Sequence, residues 1–422
     1  MNDLFKRLIP TFIIIILAFL LGSTWSLHYY FIGFVILVPF FWFYYDFKKS
    51  SIFIYFYYLF STKSLPEILI RYKHFHPEMI GSSFLYPFIW ILFAFILASP
   101  WILTKKILFK ENTPRFLKVI SPVVPIIIIF VPPLYILGIA SPLEAVGILF
   151  PGFKLFGILL FFTLLILNNI IIQIVQRKHI IYNFNFELIR ILPFYLIYLT
   201  IVFIDNYEYR NPKIPLDWVA ISTNFESLSF DENRLQSLIY SIKLLIKEKY
   251  HVIILPENAV GIWTINNNIF SNIINYAKKN NSIVLSGAYV RSDDIKQSKY
   301  NINYYDSSII AFGKINRVVY LTRQPIPIAG WIPFSSHGLN VHWFSKGIQV
   351  INHKKVSFFV CFEELLPGLI STSFLSKESP NIIISVVNNW VGYGTGESKA
   401  QFNSIYVMSR LFGTAFLRSW NR

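Results

Sequence analysis

Cysteine is all but missing: Cys361 is the only one in 422 residues. A single thiol excludes an internal disulfide framework, argues against a cysteine-ligated zinc site, and leaves the redox compartment open. Charge is scarce too, at 14% of residues, and acidic charge is scarcer, with 22 Asp and Glu against 38 Lys and Arg. A chain this poor in charge and 55% hydrophobic does not have the composition of one ordinary soluble domain.

The shortage of charge is uneven. Residues 1–204 hold 16 Lys and Arg and 7 Asp and Glu, whereas residues 205–422 hold 22 and 15. That asymmetry predicts a transmembrane helical domain over 1–205 and a soluble domain over 206–422. The net charge of +16 calls for an anionic partner. Because the basic residues are scattered between apolar runs and form no stripe, the expected partner is membrane phospholipid and no nucleic acid.

Apolar runs at 8–25, 28–45, 51–60, 84–103, 119–140, 153–175 and 188–204 predict about seven spans, with the short aromatic 51–60 the weakest. With the N-terminus inside, the inner loops collect Lys48, Lys49, Lys105, Lys106, Lys110, Arg115, Lys118, Arg177 and Lys178. This obeys the positive-inside rule and puts the part after Asp205 outside the cytoplasm, on the periplasmic side of a bacterial inner membrane.

After Pro212 the pattern turns to strands alternating with helices, which predicts an α/β sheet layered with helices. Helices are expected over 230–249, 266–280 and 400–411, and strands over 218–221, 251–255, 282–289, 356–361, 381–387 and 415–419. A hairpin is expected over 307–321, turning at Gly313-Lys314. Three strand ends carry reactive groups: Glu257 after the first apolar strand, Cys361 with Glu363 and Glu364 after another, and Asn388, Asn389 and Trp390 after a third. A carboxylate and a thiol at two strand ends are the parts of a base-activated thiolate. Taken singly, each has a plainer reading: Cys361 as a small core residue, Glu257 as a cap, the Asn pair as a turn.

The order LPENA, YDSSIIAFG, VCFEELLPG, VVNNWVG, GTAFLRSWN resembles the nitrilase (carbon–nitrogen hydrolase) superfamily over about 217–421. With apolar spans ahead of it, the architecture is similar to apolipoprotein N-acyltransferase. The resemblance implies an αββα sandwich, no cofactor or metal, and transfer of an acyl chain from phospholipid to an amine such as a lipoprotein N-terminus. It implies Glu257 as base, Cys361 as thioester-forming nucleophile and Glu363 as accessory carboxylate, with Asn389 and Trp390 near the substrate. The family's oxyanion lysine is not matched. In YLTRQPIPIAGW its column holds Thr322, with Arg323 beside it as the cation able to take its place, and the loop glutamate column holds Gly330. The QPIPIAGW loop is similar to TraB-type conjugal transfer proteins. That branch implies the alternative of a catalytically altered relative serving assembly, with a conjugation-machinery partner.

A periplasm-dependent reporter fused after Asp205 is expected to be active; activity of a cytoplasmic reporter alone at that junction would refute the topology.

Overall fold

The computed structural model describes residues 2–75, 85–176, 181–224, 232–263, 270–291, 305–327, 330–332, 338–376 and 378–422. Phe84 of one expected span, residues 266–269 of an expected helix, and Ile328 and Ala329 of the QPIPIAGW loop lie outside the described residues. Compactness divides the chain into two units that are not simply sequential. One comprises Met1–Asn211, Leu365–Ser371 and Thr395–Gly413; the other comprises Pro212–Glu364, Thr372–Gly394 and Thr414–Arg422.

The first unit is helical. Among the described residues, three helices are long and apolar enough to cross a membrane: Ile9–Ser26, Leu85–Leu108 and Lys154–Ile174. The weak 51–60 run lies in the helix Phe47–Ser61, whose Phe53, Ile54, Tyr57 and Tyr58 are buried. At about 1.5 Å per residue that helix is shorter than the roughly 30 Å hydrocarbon core of a bilayer. The 119–140 run departs from expectation, because it is not one continuous span. It breaks into Arg115–Ile120, Val123–Ile128 and the 3-10 turn Leu134–Gly138. Pro122, Pro125, Pro132 and Pro133 remove backbone donors and clash with the preceding turn, so no long helix forms through them.

The helix Gly396–Phe412 belongs to this unit. Asn403 Nδ2 donates to the Trp25 and Leu27 carbonyls at 3.0 and 2.8 Å, and Arg410 Nε donates to Gly147 O at 3.2 Å. A Cβ on Gly147 would collide with the Val407 carbonyl, so glycine is what lets the backbones meet there.

The second unit holds two sheets. The first contains β1 (Trp218–Ala220), β2 (Val252–Ile254), β3 (Ile262–Trp263), β4 (Ile283–Arg291), β5 (Tyr305–Gly313) and β6 (Arg317–Leu321). Its order is β1-β2-β4-β5-β6, with β3 also on β4; β1, β2 and β4 are parallel and β4, β5 and β6 antiparallel. The second contains β7 (Ile348–Ile351), β8 (Lys354–Val360), β9 (Ile382–Asn388) and β10 (Ala415–Asn421), in the order β10-β9-β8-β7. There β8, β9 and β10 are parallel.

Alternation along each strand sends one set of side chains between the sheets. Val252, Ile254, Leu285 and Ile309 from the first sheet share a core with Val356, Phe358, Ile384 and Leu417 from the second. The other face of the first sheet packs Ile253, Val284 and Phe312 against Leu238 and Ile242 of the helix Glu232–Lys247 and Ile273 of Ser271–Lys279. An α/β architecture with N-terminal apolar helices is therefore observed, and the hairpin falls as expected, with β5 and β6 antiparallel across Gly313.

One ion pair holds the end of β8 to the parallel strands. Glu364, fully buried, receives both Arg418 Nε at 2.8 Å and Nη2 at 2.7 Å, and Ser385 Oγ donates to it at 2.7 Å. Removing one partner of a buried pair leaves the other charge unpaired, at a cost of about 3–5 kcal/mol. Glu364→Gln is therefore expected to lower the thermal midpoint of the detergent-solubilised chain substantially, and Glu364→Gln/Arg418→Met to recover part of the loss.

Candidate active site at the ends of β2 and β8

Glu257 sits in a break between two strands. β2 pairs with the start of β4, Ile254 opposite Leu285, and β3 pairs with its far end, Ile262 opposite Tyr289. Between them the chain leaves the ladder through Pro256, Glu257 and Asn258, the last with φ of 57°. Gly287 of β4 lies beneath this break, and a Cβ there would run into Glu257 Cα. The glycine that interrupts an otherwise apolar strand thus makes room for the carboxylate's backbone.

Cys361 begins the turn after β8, with φ of 47°. A non-glycine residue in the left-handed region costs of order 1–3 kcal/mol and persists only where the surroundings hold it, which is common at reactive sites. The holder is Glu363. Its Oε2 accepts Val360 N at 2.8 Å, its Oε1 accepts Arg323 N at 2.7 Å and Gln324 N at 3.1 Å, and the Tyr320 hydroxyl donates to both oxygens at 2.9 and 2.8 Å. Burial raises the Glu363 pKa, while the Arg323 charge and these donors pull against it. With every lone pair so engaged, Glu363 fixes backbone and has little freedom to shuttle protons.

The thiol and the base meet. Cys361 is hydrogen-bonded to the Glu257 carboxylate, and Glu257 Oε2 also accepts Asn388 N at 2.9 Å. The thiol Sγ lies 4.0 Å from the Asn388 carbonyl. Burial, opposed by the bonds from Cys361 and Asn388, pushes the Glu257 carboxyl up to about 7. Burial, then the charge of Glu257, pushes the thiol well above its ordinary value. Such a pair holds one negative charge readily and two only with difficulty. Its resting form is a neutral thiol beside a carboxyl balanced near neutrality, a nucleophile with its base in place.

The other expected site residues fall as follows. Asn388, more than Asn389, touches the pair; Asn389 is buried and its N–H donates to Asn421 O at 2.9 Å, tying β9 to β10. Trp390 follows in the turn after β9 and is half-buried. Arg323 is buried, with Nε donating to the Tyr320 hydroxyl at 3.2 Å and its guanidinium 5.3 Å from the Phe359 ring, and its charge acts on Glu363 and Tyr320. Tyr320 and Gly287 are the participants that sequence reasoning passed over. An isolated glycine in an apolar strand was the available signal for Gly287; Tyr320 anchored the YLTR segment, with no sign of its bond to Glu363.

The class defined so far is a two-sheet α/β domain with a cysteine–glutamate pair at the strand ends, preceded by apolar helices. No family model matches the chain. Its curated relatives carry conjugal-transfer names. It is 25% identical over 307 residues to the probable conjugal transfer protein TraB of Sinorhizobium fredii (strain NBRC 101917 / NGR234), covering 70% of each chain. It is 24% identical over 302 residues to the conjugal transfer protein TraB of Agrobacterium fabrum (strain C58 / ATCC 33970), covering 69% of this chain and 64% of that one. Among solved structures it is similar to a C145A mutant of the Nesterenkonia AN1 amidase from the nitrilase superfamily, at 7% identity, TM-score 0.34, with 48% of this chain and 74% of that one covered. It is also similar to a carbon–nitrogen hydrolase from Helicobacter pylori G27, at 12% identity, TM-score 0.34, with 48% and 72% covered.

The raised Glu257 carboxyl has a stability signature. Its ordinary value is near 4.5 and its folded value about 7, so between those pH values the folded chain holds a proton that the unfolded chain has released. Stability therefore falls as pH rises across that window. Glu257→Gln is expected to melt higher than the parent at pH 8 and to lose this advantage by pH 5; equal differences at both pH values would contradict the assignment.

Proposed function

We propose that the chain is a membrane-held acyltransferase in which Cys361 is the nucleophile and Glu257 the base. The observation that carries this reading is the hydrogen-bonded thiol–carboxyl pair, balanced near neutral pH at a backbone turn that only its surroundings sustain. Glu257 takes the thiol proton as sulfur attacks an ester carbonyl. The tetrahedral intermediate collapses, the carbon–oxygen bond breaks, and the leaving alkoxide recovers the proton from Glu257. An amine then attacks the thioester and releases Cys361 as thiol, with Glu257 again moving the proton.

Phospholipid is the donor that suits a chain with apolar helices able to cross a membrane, since its acyl chains need not enter water. A lipoprotein N-terminal amine is the acceptor that the resemblance supplies. The placement is multi-pass in a bacterial inner membrane, with residues after Asp205 on the periplasmic side, and it rests on the distribution of basic loops. The names of the curated relatives support a setting in conjugal transfer.

A second reading has its own observation behind it. Among the charges acting on Cys361 are those of Glu257 and Glu364, both of which disfavour a thiolate, and the Arg323 charge acts on Glu363 and Tyr320. In that reading the domain keeps its fold and serves assembly of the transfer machinery.

The test incubates the full chain with vesicles of phosphatidylethanolamine and phosphatidylglycerol and follows the intact mass. An acyl adduct on Cys361 is expected, absent in Cys361→Ala and slower by roughly 100-fold or more in Glu257→Gln. Its rate should rise with pH through about 7 as Glu257 ionises. No adduct, together with a thiol inert to maleimide until unfolding, overturns the acyltransferase reading and leaves the assembly one.

A further inference from the structure

Acyl transfer through Cys361 puts a negative charge on the carbonyl oxygen, and something must meet it. Arg323, the cation that the resemblance offers, has its guanidinium at the Tyr320 hydroxyl and the Phe359 ring and its charge on Glu363. The residue before it is different in kind. Thr322 is 2% exposed, and its hydroxyl makes no hydrogen bond among the described residues. A buried hydroxyl left unpaired costs roughly 1–3 kcal/mol, and such a group calls for an explanation.

Its position supplies one. Thr322 N donates to Ser307 O at 2.8 Å, which fixes the backbone at the end of β6. The next residue, Arg323, has its N–H on Glu363 Oε1 at 2.7 Å, and Val360, the residue before Cys361, has its N–H on Glu363 Oε2 at 2.8 Å. One carboxylate therefore clamps the immediate neighbours of both Thr322 and Cys361. Thr322 directly follows β6, two residues after Tyr320, whose hydroxyl reaches Glu363.

We infer that the Thr322 hydroxyl is the oxyanion donor of this site, unpaired in the resting protein because its acceptor exists only once the substrate is attacked. This rests on the acyl-transfer reading above. As sulfur bonds to the carbonyl carbon and Glu257 takes the thiol proton, the carbonyl electrons move to oxygen, and the Thr322 O–H donates to it without transferring its proton. When the intermediate collapses and the alkoxide leaves with the proton from Glu257, the hydroxyl is unpaired again. A donor that bonds only the charged intermediate lowers the barrier without tightening substrate binding.

The experiment compares the parent, Thr322→Val and Thr322→Ser full chains in three measurements. The first is the single-turnover rate of acyl adduct formation on Cys361 with phosphatidylethanolamine/phosphatidylglycerol vesicles. The second is alkylation of Cys361 by iodoacetamide, a displacement that forms no tetrahedral oxyanion. The third is the thermal midpoint. Thr322→Val is expected to acylate roughly 100- to 1,000-fold more slowly, to be alkylated at the parent rate, and to melt no lower, because a methyl replaces an unpaired hydroxyl. Thr322→Ser should stay within about tenfold of the parent in acylation. If Thr322→Val acylates as fast as the parent, or if its alkylation falls in step with its acylation, the inference fails while the acyltransferase reading stands. If the parent itself forms no adduct, both fall.

Discussion

A single buried carboxylate, Glu363, joins the two sheets at the reactive end of the sandwich. The Tyr320 hydroxyl comes from β6 in the first sheet, the Arg323 and Gln324 N–H groups from the loop after it, and the Val360 N–H from β8 in the second. None of these donors could be left unpaired in the interior without penalty, and the carboxylate could not be buried without them. The left-handed backbone of Cys361 follows from this mutual need, because the turn that carries Glu363 back to Val360 N is the turn that opens with Cys361.

Against that fixed turn, the chemistry resides in a pair that tolerates one negative charge and resists two. Glu257 approaches from the first sheet through the break between β2 and β3, and Asn388 N, from the end of β9, steadies its carboxylate. Burial raises both partners, so the thiol keeps its proton until a substrate offers somewhere for the charge to go. A thiol held in this way depends on its base and on what the substrate and its surroundings supply.

Much of this was legible from sequence because strand ends announce themselves. The runs before Glu257, Cys361 and Asn388 are mostly apolar and β-branched or aromatic, and the reactive residue follows at or just after the end of each. Lateral information was not legible. What Thr322 and Arg323 each meet depends on how the chain leaves β6 after Leu321, which no periodicity records. β3 and β7 are only two and four residues long, too short for a period to show. The prolines of 119–140 were visible, but a hydropathy run sums over them, and the chain does not fold as a sum.

The helix Gly396–Phe412 connects β9 to β10 in the chain, yet it is packed with residues from the N-terminal part, with Asn403 on the Trp25 and Leu27 carbonyls and Gly147 against Val407. A gene segment encoding everything from Pro212 onward would therefore carry one face of an interface whose other face is written upstream, at Trp25, Leu27 and Gly147. Such a segment is a poor candidate for exchange between genomes as a separate cassette. Change at Val407 or Arg410 is answerable to Gly147, and change at Asn403 to the Trp25–Leu27 turn. The helical part and the sandwich part are thereby tied to descent as one unit, whatever donor or acceptor each lineage adopts.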